Sequence, residues 1–257
     1  MTSAVQHRAD PFAVCLELLI TGLVIILLFL GWKLVATDEA TAEVVAVQAS
    51  TTAETWASDF ERHPVPAGSQ AASKLYDQEY RLPGQDILAW EQGTTIGVLY
   101  APRLGTDFKL AIVEGTDKHD ILDRGVAGHY IGSAPLGGAG NSIITAHRSA
   151  YGSPFFNLAE LRVGDPVYVE TTDGWYEYRF RNSDLVDRTQ VSVLKDWPDS
   201  DNLGFDHLLT LISCNPKFTA WSERLIAYTT LEKFYPRAGG APADVQPLLD
   251  QWVETIR

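Results

Sequence analysis

A cysteine and an arginine stand at the facing ends of two apolar runs that are typical of strands. The stretch HLLTLISC ends at Cys214, and the run RLIAYTTL begins at Arg224. Asn215-Pro216 cannot continue a strand ladder, so the thiol is expected at a rim that solvent reaches. If the two runs pair antiparallel, the thiol and the guanidinium lie side by side. Such an arginine favours the thiolate and can bind a developing oxyanion.

A thiol nucleophile also needs a proton donor for its leaving group, and histidine is the usual choice. His147 closes the strand-like run NSIITAH and therefore also lies at a strand end. His129, in GVAGHYIG, is the competing histidine. The alternative to a catalytic site is a buried, inert cysteine that packs as a small hydrophobe.

The elements that must position these residues are short strands. From about Thr94 onward, apolar runs alternate with turn residues, helices are few, and no strand–helix–strand alternation is visible. The run DPVYVETTDGWYEYRF indicates a hairpin that turns at Asp173-Gly174. The pattern predicts an all-β domain, a closed β-barrel of about eight strands with short helices, over residues 91–235, followed by a tail over 236–257.

A membrane anchor is expected ahead of the barrel. Residues 11–34 read PFAVCLELLITGLVIILLFLGWKL, which is long enough to cross a bilayer. The run ends in a Gly-Trp-Lys sequence typical of an interfacial anchor, although a cleaved signal peptide is the alternative. We expect a single-pass plasma-membrane protein with residues 1–10 in the cytoplasm and the barrel outside. Residues 35–90 are predicted to be a spacer, with one helical piece around Ser69–Tyr80, that lifts the barrel off the membrane.

The charge excludes one class of partner. The chain carries 20 Lys and Arg against 33 Asp and Glu, a net charge of −13. Nucleic-acid binding needs clustered basic residues, so no nucleic-acid partner is expected. No cluster with metal-ligand spacing is apparent in the sequence, and we expect no metal and no cofactor, with a carboxylate-only calcium site left open.

The order of the motifs resembles the sortase family of cysteine transpeptidases. A strand ending TAHR, a strand ending TLISC and the following RLI are similar to the family's three catalytic segments. GHYIGSAPLGGAGNSIITAHR, YGSPFFNLAELRVGDPVYVET and WYEYRF also fit. The likeness runs over residues 96–231 and is greatest to the actinobacterial class E enzymes, although Asn215 stands where class E commonly has histidine. It implies a sortase-like barrel with His147, Cys214 and Arg224 as the catalytic triad.

The resemblance also implies the reaction and its partners. Secreted proteins with a C-terminal LPxTG-like or LAxTG-like sorting signal would be cleaved between Thr and Gly. The new carboxyl end would be joined to an amine of a lipid-linked peptidoglycan precursor, which anchors the protein to the cell wall. Tyr130, Tyr151 and Ser213 are the expected substrate-binding residues, with ordinary packing as their alternative role.

Other functions remain open at this stage. One is a pilin-polymerising sortase, although the expected lid motif occurs only as DPF ahead of the apolar run. Another is a catalytically silent, membrane-tethered adaptor that kept a sortase-like barrel. A papain-like or wall-hydrolase peptidase fits poorly, because those enzymes place cysteine before histidine, at a helix start.

Overall fold

A closed barrel of eight strands forms the body of the protein in a computed structural model that describes residues 11–62, 90–195, 207–218 and 222–249. A long helix, α1 (Pro11–Arg62), precedes the barrel. The strands are β1 (Thr95–Tyr100), β2 (Lys109–Glu114), β3 (Ala127–His129), β4 (Gly140–Thr145), β5 (Pro166–Glu170), β6 (Gly174–Asp187), β7 (His207–Asn215) and β8 (Glu223–Pro236). Short 3-10 helices lie at Leu122–Arg124, Leu158–Glu160, Val191–Leu194 and Arg237–Gly239, and a helical turn lies at 246–249.

The strands follow one another around the barrel in the order β1-β2-β3-β4-β7-β8-β6-β5, and β5 pairs with β1 to close it. Two pairs, β2 with β3 and β4 with β7, are parallel, and the other pairs are antiparallel. The predicted closed barrel is confirmed, and so is the hairpin, since β5 and β6 pair antiparallel across the turn before Gly174. Closure leaves no free sheet edge among the eight described strands.

The wall formed by β4, β7 and β8 is apolar on both faces. Alternate residues of a strand point to opposite faces, and here both sets are buried. Leu209, Leu211 and Leu225 belong to the large core inside the barrel. A smaller cluster covers the outer face and consists of Ile143, Val186, Val193, Ile212 and Ile226. This cluster, the outer strip, ends beside Cys214 and Arg224.

Helix α1 differs from the sequence-based expectation of a spacer after the anchor. Its first part, Phe12–Trp32, has a mean hydropathy of 2.8, is fully exposed, and is long and apolar enough to cross a membrane. The helix then continues unbroken to Arg62. Val45, Ala49 and Ala53 recur every fourth residue and are buried, so this part of the helix packs along the barrel. The Ala- and Glu-rich composition that suggested a spacer also favours helix.

Some predictions lie outside the described residues. These concern residues 1–10, the remainder of the spacer over 63–89 with its helical piece around Ser69–Tyr80, and the end of the tail over 250–257. The first part of the predicted tail packs on the barrel, since Val245 and Leu248 are buried in the main core. The boundaries of the five predicted segments stay predictions.

A buried ion pair closes the end of the barrel that lies away from Cys214. The Arg237 guanidinium donates to a Glu170 carboxylate oxygen over 2.8 Å, and both side chains are almost fully buried. The second carboxylate oxygen accepts a 2.6 Å hydrogen bond from the Tyr100 hydroxyl. Removing one partner of such a pair leaves a desolvated charge without compensation.

We therefore predict that Arg237→Met lowers the free energy of unfolding by about 3 kcal/mol. The control is Arg103→Met, which removes an ion pair to Asp165 in which the arginine side chain is 41% exposed. That change should cost less than about 1 kcal/mol. Urea unfolding of both variants in the same detergent measures the difference, and equal losses would contradict the prediction.

Candidate functional site

Cys214 and Arg224 are directly opposite each other on neighbouring antiparallel strands, as the sequence predicted. Side chains at directly opposed positions lie on the same face of a sheet. Both are partly exposed, and both are in phase with Ile212 and Ile226 of the outer strip. The thiol and the guanidinium therefore lie on the outer face of the wall, at the ends of the strands. This position agrees with the expected rim of the barrel, where the two side chains were predicted to lie side by side.

His147 reaches the same place through the parallel pairing of β4 with β7. Thr145 is in register with Ile212, and the Ala146 amide donates to the Ile212 carbonyl over 3.2 Å. Both chains leave this pair in the same direction. His147 and Cys214 each lie two residues beyond it, so the register brings both residues to the same end of the wall. Thus all three predicted catalytic residues share one end of the wall, which we call the catalytic end.

The side chains of Asp123 and Tyr151 hold the His147 ring, and only Tyr151 was expected near the site from the sequence. A carboxylate oxygen of Asp123 is 2.8 Å from Nε2 of His147. The Tyr151 ring stacks on the imidazole, with the ring centroids 4.9 Å apart and the planes 25° apart. Among the described residues, no group bonds Nδ1 of His147. The ring is therefore fixed at one nitrogen and one face, and its other nitrogen is available to a reacting group.

Asp123 belongs to the candidate site through its contact with His147, and sequence reasoning missed it. It lies in the 3-10 helix Leu122–Arg124 and also accepts hydrogen bonds from Lys118 and His119. Desolvation raises the pKa of this carboxyl. The hydrogen bonds from Lys118, His147 and His119 outweigh that effect and lower the pKa to about 2. A carboxylate that stays ionised at neutral pH stabilises a positive charge on the imidazole it contacts. The only feature of the sequence that could have pointed to Asp123 is its place in a polar LDRG turn, two residues before the GHY motif.

Arg148 is a second missed residue, and it lies beneath the loop that follows Cys214. Its guanidinium donates to the Phe156 carbonyl over 3.1 Å, to the Cys214 carbonyl over 3.4 Å and to Asn215 Oδ1 over 3.3 Å. Burial lowers the pKa of Arg148 from its ordinary value, while the nearby Cys214 opposes that shift. The side chain is only 5% exposed, so it fixes the backbone of the nucleophile's loop.

The remaining candidates have different surroundings. His129 is buried, with one ring nitrogen 2.7 Å from Glu114 and the other 3.0 Å from the Ala134 carbonyl, so it is a structural histidine. Ser213 is also buried, and its hydroxyl donates to the Ala146 carbonyl over 2.8 Å. This bond holds the residue that follows β4 to β7, and a substrate-contacting role for Ser213 does not fit its burial. Tyr130 and Tyr151 are each about 40% exposed.

The arrangement is suited to acyl transfer. A partly exposed thiol can attack a carbonyl, a guanidinium beside it can bind the resulting oxyanion, and an oriented imidazole can move the proton. Nothing in this chemistry requires a bound ion.

Comparisons with known proteins agree with this geometry. A family model described as Sortase domain matches residues 99–232. Sortase SrtE1 of Streptomyces coelicolor is 33% identical over 68% of this chain, which spans about half the length of that relative. The structure of sortase E from Streptomyces avermitilis covers 61% of this chain and 99% of its own at 31% identity, with a TM-score of 0.54. Sortase E1 of Streptomyces coelicolor, solved with a tripeptide in its active site, covers 60% of this chain and 97% of its own at 32% identity and a TM-score of 0.55.

The lowered pKa of Asp123 predicts a pH dependence of stability. A carboxyl whose pKa is lower in the folded state stabilises the fold above its unfolded pKa of about 3.9, and the contribution disappears as pH falls through about 2. The Asp123→Asn variant should therefore have a lower free energy of unfolding than the wild type at pH 6. Between about pH 4 and pH 2 its free energy of unfolding should fall less steeply than that of the wild type.

Urea titrations across this range measure the slope. Asp120→Asn, an exposed carboxylate in the same turn whose side chain does not contact His147, serves as the control and should keep the wild-type slope. A wild-type slope in Asp123→Asn would show that the hydrogen bonds to Asp123 do not contribute.

Proposed function

Because this chain belongs to the sortase family, we propose that it is a membrane-anchored cysteine transpeptidase of the class E type. It cleaves a sorting signal between Thr and Gly and joins the new carboxyl end to an amine of a peptidoglycan precursor. The observation that carries the proposal is the register of β7, which sets Cys214 opposite Arg224 and brings His147 alongside.

In the first step, the Cys214 thiolate attacks the carbonyl carbon of the Thr–Gly bond. The oxyanion that forms accepts hydrogen bonds from the Arg224 guanidinium, which keeps its charge and its planar fork of donors. The carbon–nitrogen bond then breaks, and His147 gives its proton to the departing glycine amine. A thioester between the signal's threonine and Cys214 remains.

In the second step, the acceptor amine attacks the thioester carbonyl. His147 takes the proton that the amine loses, the carbon–sulfur bond breaks, and the thiolate is regenerated. The product is a new amide, and no oxidant or reductant is consumed. Asp123 stays ionised throughout and holds the imidazole in both of its protonation states, which supports its alternation between acid and base.

The peptide is proposed to lie between the turn after β3, where Ile131 is exposed, and the 3-10 helix Val191–Leu194, where Val191 is exposed. Tyr130 lies in that turn and Tyr151 beside His147, so both are proposed to contact the signal close to the scissile bond. The class E likeness favours an LAxTG-like signal over an LPxTG-like one. The exposed apolar side chains of Ile131 and Val191 suit the short apolar residues at the start of either motif.

The protein is proposed to be single-pass in the plasma membrane, with residues 1–10 in the cytoplasm and the barrel outside. Phe12–Trp32 supports this, because it is long enough to span the hydrocarbon layer and ends in an exposed tryptophan. The proposed partners are secreted proteins with a sorting signal and a lipid-linked peptidoglycan precursor.

The nucleophile is tested by trapping the intermediate. We expect incubation with LAxTG and LPxTG peptides, without an amine, to add the mass of the N-terminal fragment to a tryptic peptide containing Cys214, with faster labelling by LAxTG. Addition of diglycine, which reproduces the leaving amine, should remove the adduct and release a ligated peptide. Cys214→Ala should show neither, and Cys15→Ala is the matched control that keeps both. Cleavage without ligation would favour a peptidase, and no adduct would favour a silent adaptor.

The oxyanion role is tested at Arg224. We predict that Arg224→Ala lowers kcat/KM for ligation by about 10²–10³-fold, because a preorganised donor to the oxyanion is lost. Arg224→Lys should recover only part of this loss, since an ammonium keeps the charge but not the fork. Arg188→Ala, an exposed arginine close to the catalytic end, is the control and should stay within a few-fold of wild type. Equal effects of Arg224→Ala and Arg188→Ala would exclude a specific role.

A further inference from the structure

The direction in which α1 runs along the barrel has a consequence for the membrane. We propose that α1 is a rigid strut that turns the catalytic end toward the bilayer and holds it at the height of the lipid headgroups. The acceptor it serves is then an amine carried on a lipid headgroup. This inference rests on the proposed function and on Phe12–Trp32 crossing the membrane.

The membrane-proximal part of α1 contacts the loops of the catalytic end. Asp38 lies six residues after Trp32. One of its carboxylate oxygens accepts a 2.7 Å hydrogen bond from the Gly152 amide, and the other accepts a 2.5 Å hydrogen bond from the Ser153 hydroxyl. Gly152 directly follows Tyr151, whose ring stacks on His147. The first charged group described after the span is therefore bonded to the loop that holds the catalytic imidazole.

The next turn of α1 packs closely against the same loops, so that a side chain larger than glycine would not fit at the points of contact. A Cβ atom added to Gly152 would lie 3.1 Å from the Ala42 amide nitrogen. A Cβ atom added to Gly125 would lie 2.9 Å from the Thr41 methyl group. Gly125 ends the 3-10 helix that carries Asp123. Both loops that position His147 thus rest on the helix within about three turns of the membrane span.

The distal part of α1 lies at the opposite end of the barrel. Ala53, Glu54 and Ala57 line a cavity of about 410 Å³ together with Tyr100, Glu170, Trp175 and Arg237. These barrel residues belong to the end that the buried ion pair closes. Between the two ends, Val45 and Ala49 are buried against the wall. The helix therefore follows the barrel from its catalytic end to its far end, with the catalytic end nearer the span.

The rise per residue of an α-helix gives the distance of each contact from the membrane span. At 1.5 Å per residue, Asp38 lies about 9 Å beyond Trp32 along the helix axis, and Ala57 lies about 38 Å beyond it. Each headgroup layer of a bilayer is about 5–8 Å thick. The loop that holds His147 is then at or just above the headgroups, and the far end of the barrel is roughly 30 Å further out. A flexible spacer would set neither the height nor the direction.

The reach of the site is tested with an insertion. Seven helix-forming residues placed between Val35 and Ala36 lengthen α1 by about 10 Å and add nearly two full turns, so the face that contacts the barrel is kept. The control carries the same seven residues after Arg62, beyond the contacts with the barrel. Both full-length variants are placed in liposomes with an LAxTG peptide and one of three acceptors: free diglycine, a lipid with diglycine directly on its headgroup, or the same lipid with a spacer of about 20 Å.

We expect the variant with the insertion at residue 35 to use free diglycine at the wild-type rate. It should lose at least about tenfold in rate with the headgroup diglycine and recover with the spacer lipid. The variant with the insertion after Arg62 should match wild type with all three acceptors. Unchanged use of the headgroup diglycine after insertion at residue 35 would overturn the proposal. Failure of the wild-type protein with free diglycine would instead count against the proposed transpeptidase activity.

A physical measurement decides the orientation independently of activity. In a chain with Cys15→Ala and Cys214→Ala, a fluorophore is placed either by Phe218→Cys, at the catalytic end, or by Ala238→Cys, at the far end; both positions are exposed. Energy transfer to acceptor-labelled headgroups should be strong from position 218 and weak from position 238. Equal transfer from both, or stronger transfer from position 238, would exclude a catalytic end that faces the membrane.

Discussion

The pairing of β7 with a different partner on each side is the constraint on which the site depends. Parallel pairing with β4 makes the two strands end together, which brings His147 to Cys214 although 66 residues separate them along the chain. Antiparallel pairing with β8 places Arg224 opposite the thiol. A shift of one residue in either ladder would turn every side chain of that strand to the other face. The positions of the three candidate catalytic residues therefore depend directly on the strand register of the barrel.

The burial of both faces of this wall explains why the register is stable. Inside, Leu209 and Leu211 pack into the main core, and outside, Ile212 packs with Ile143 and Ile226. A slipped β7 would exchange two sets of side chains that fill spaces of different shape. The outer strip thus fixes the ladder from the outside, as the main core does from the inside.

The parts of the site that were predictable from the sequence are those that follow from strand geometry. Adjacent antiparallel strands bring Cys214 to Arg224 by local rules, and the alternation of short apolar runs with turns indicates a barrel. The place of His147 needed the family resemblance, because a parallel pair joined by a long connection leaves no local signal. Asp123 was missed for a related reason. Its carboxylate meets His147 only through tertiary structure, and an aspartate before Arg-Gly looks like any polar turn.

The length of α1 was missed because its barrel-facing residues are small. Val45, Ala49 and Ala53 recur every four residues, but alanine contributes little to a hydrophobic pattern, and the intervening Thr and Glu gave the segment the composition of a linker. Asp38 could not have been assigned, since its partners Gly152 and Ser153 lie more than a hundred residues away. Close packing of a helix against a sheet favours small residues. The spacing of Val45, Ala49 and Ala53 therefore indicated the buried face of α1, whereas their hydrophobicity did not.

The bonds of Arg148 have a consequence for motion at the catalytic end. One guanidinium joins the loop after β4 to the Phe156 carbonyl, the Cys214 carbonyl and the Asn215 side chain. A buried cation that lost one of these acceptors would be left poorly solvated, so an excursion of one segment is resisted by the other two. The backbone around the sulfur therefore moves as a single stiff unit, and any widening that admits a bulky acyl group has to come from the side chains above it.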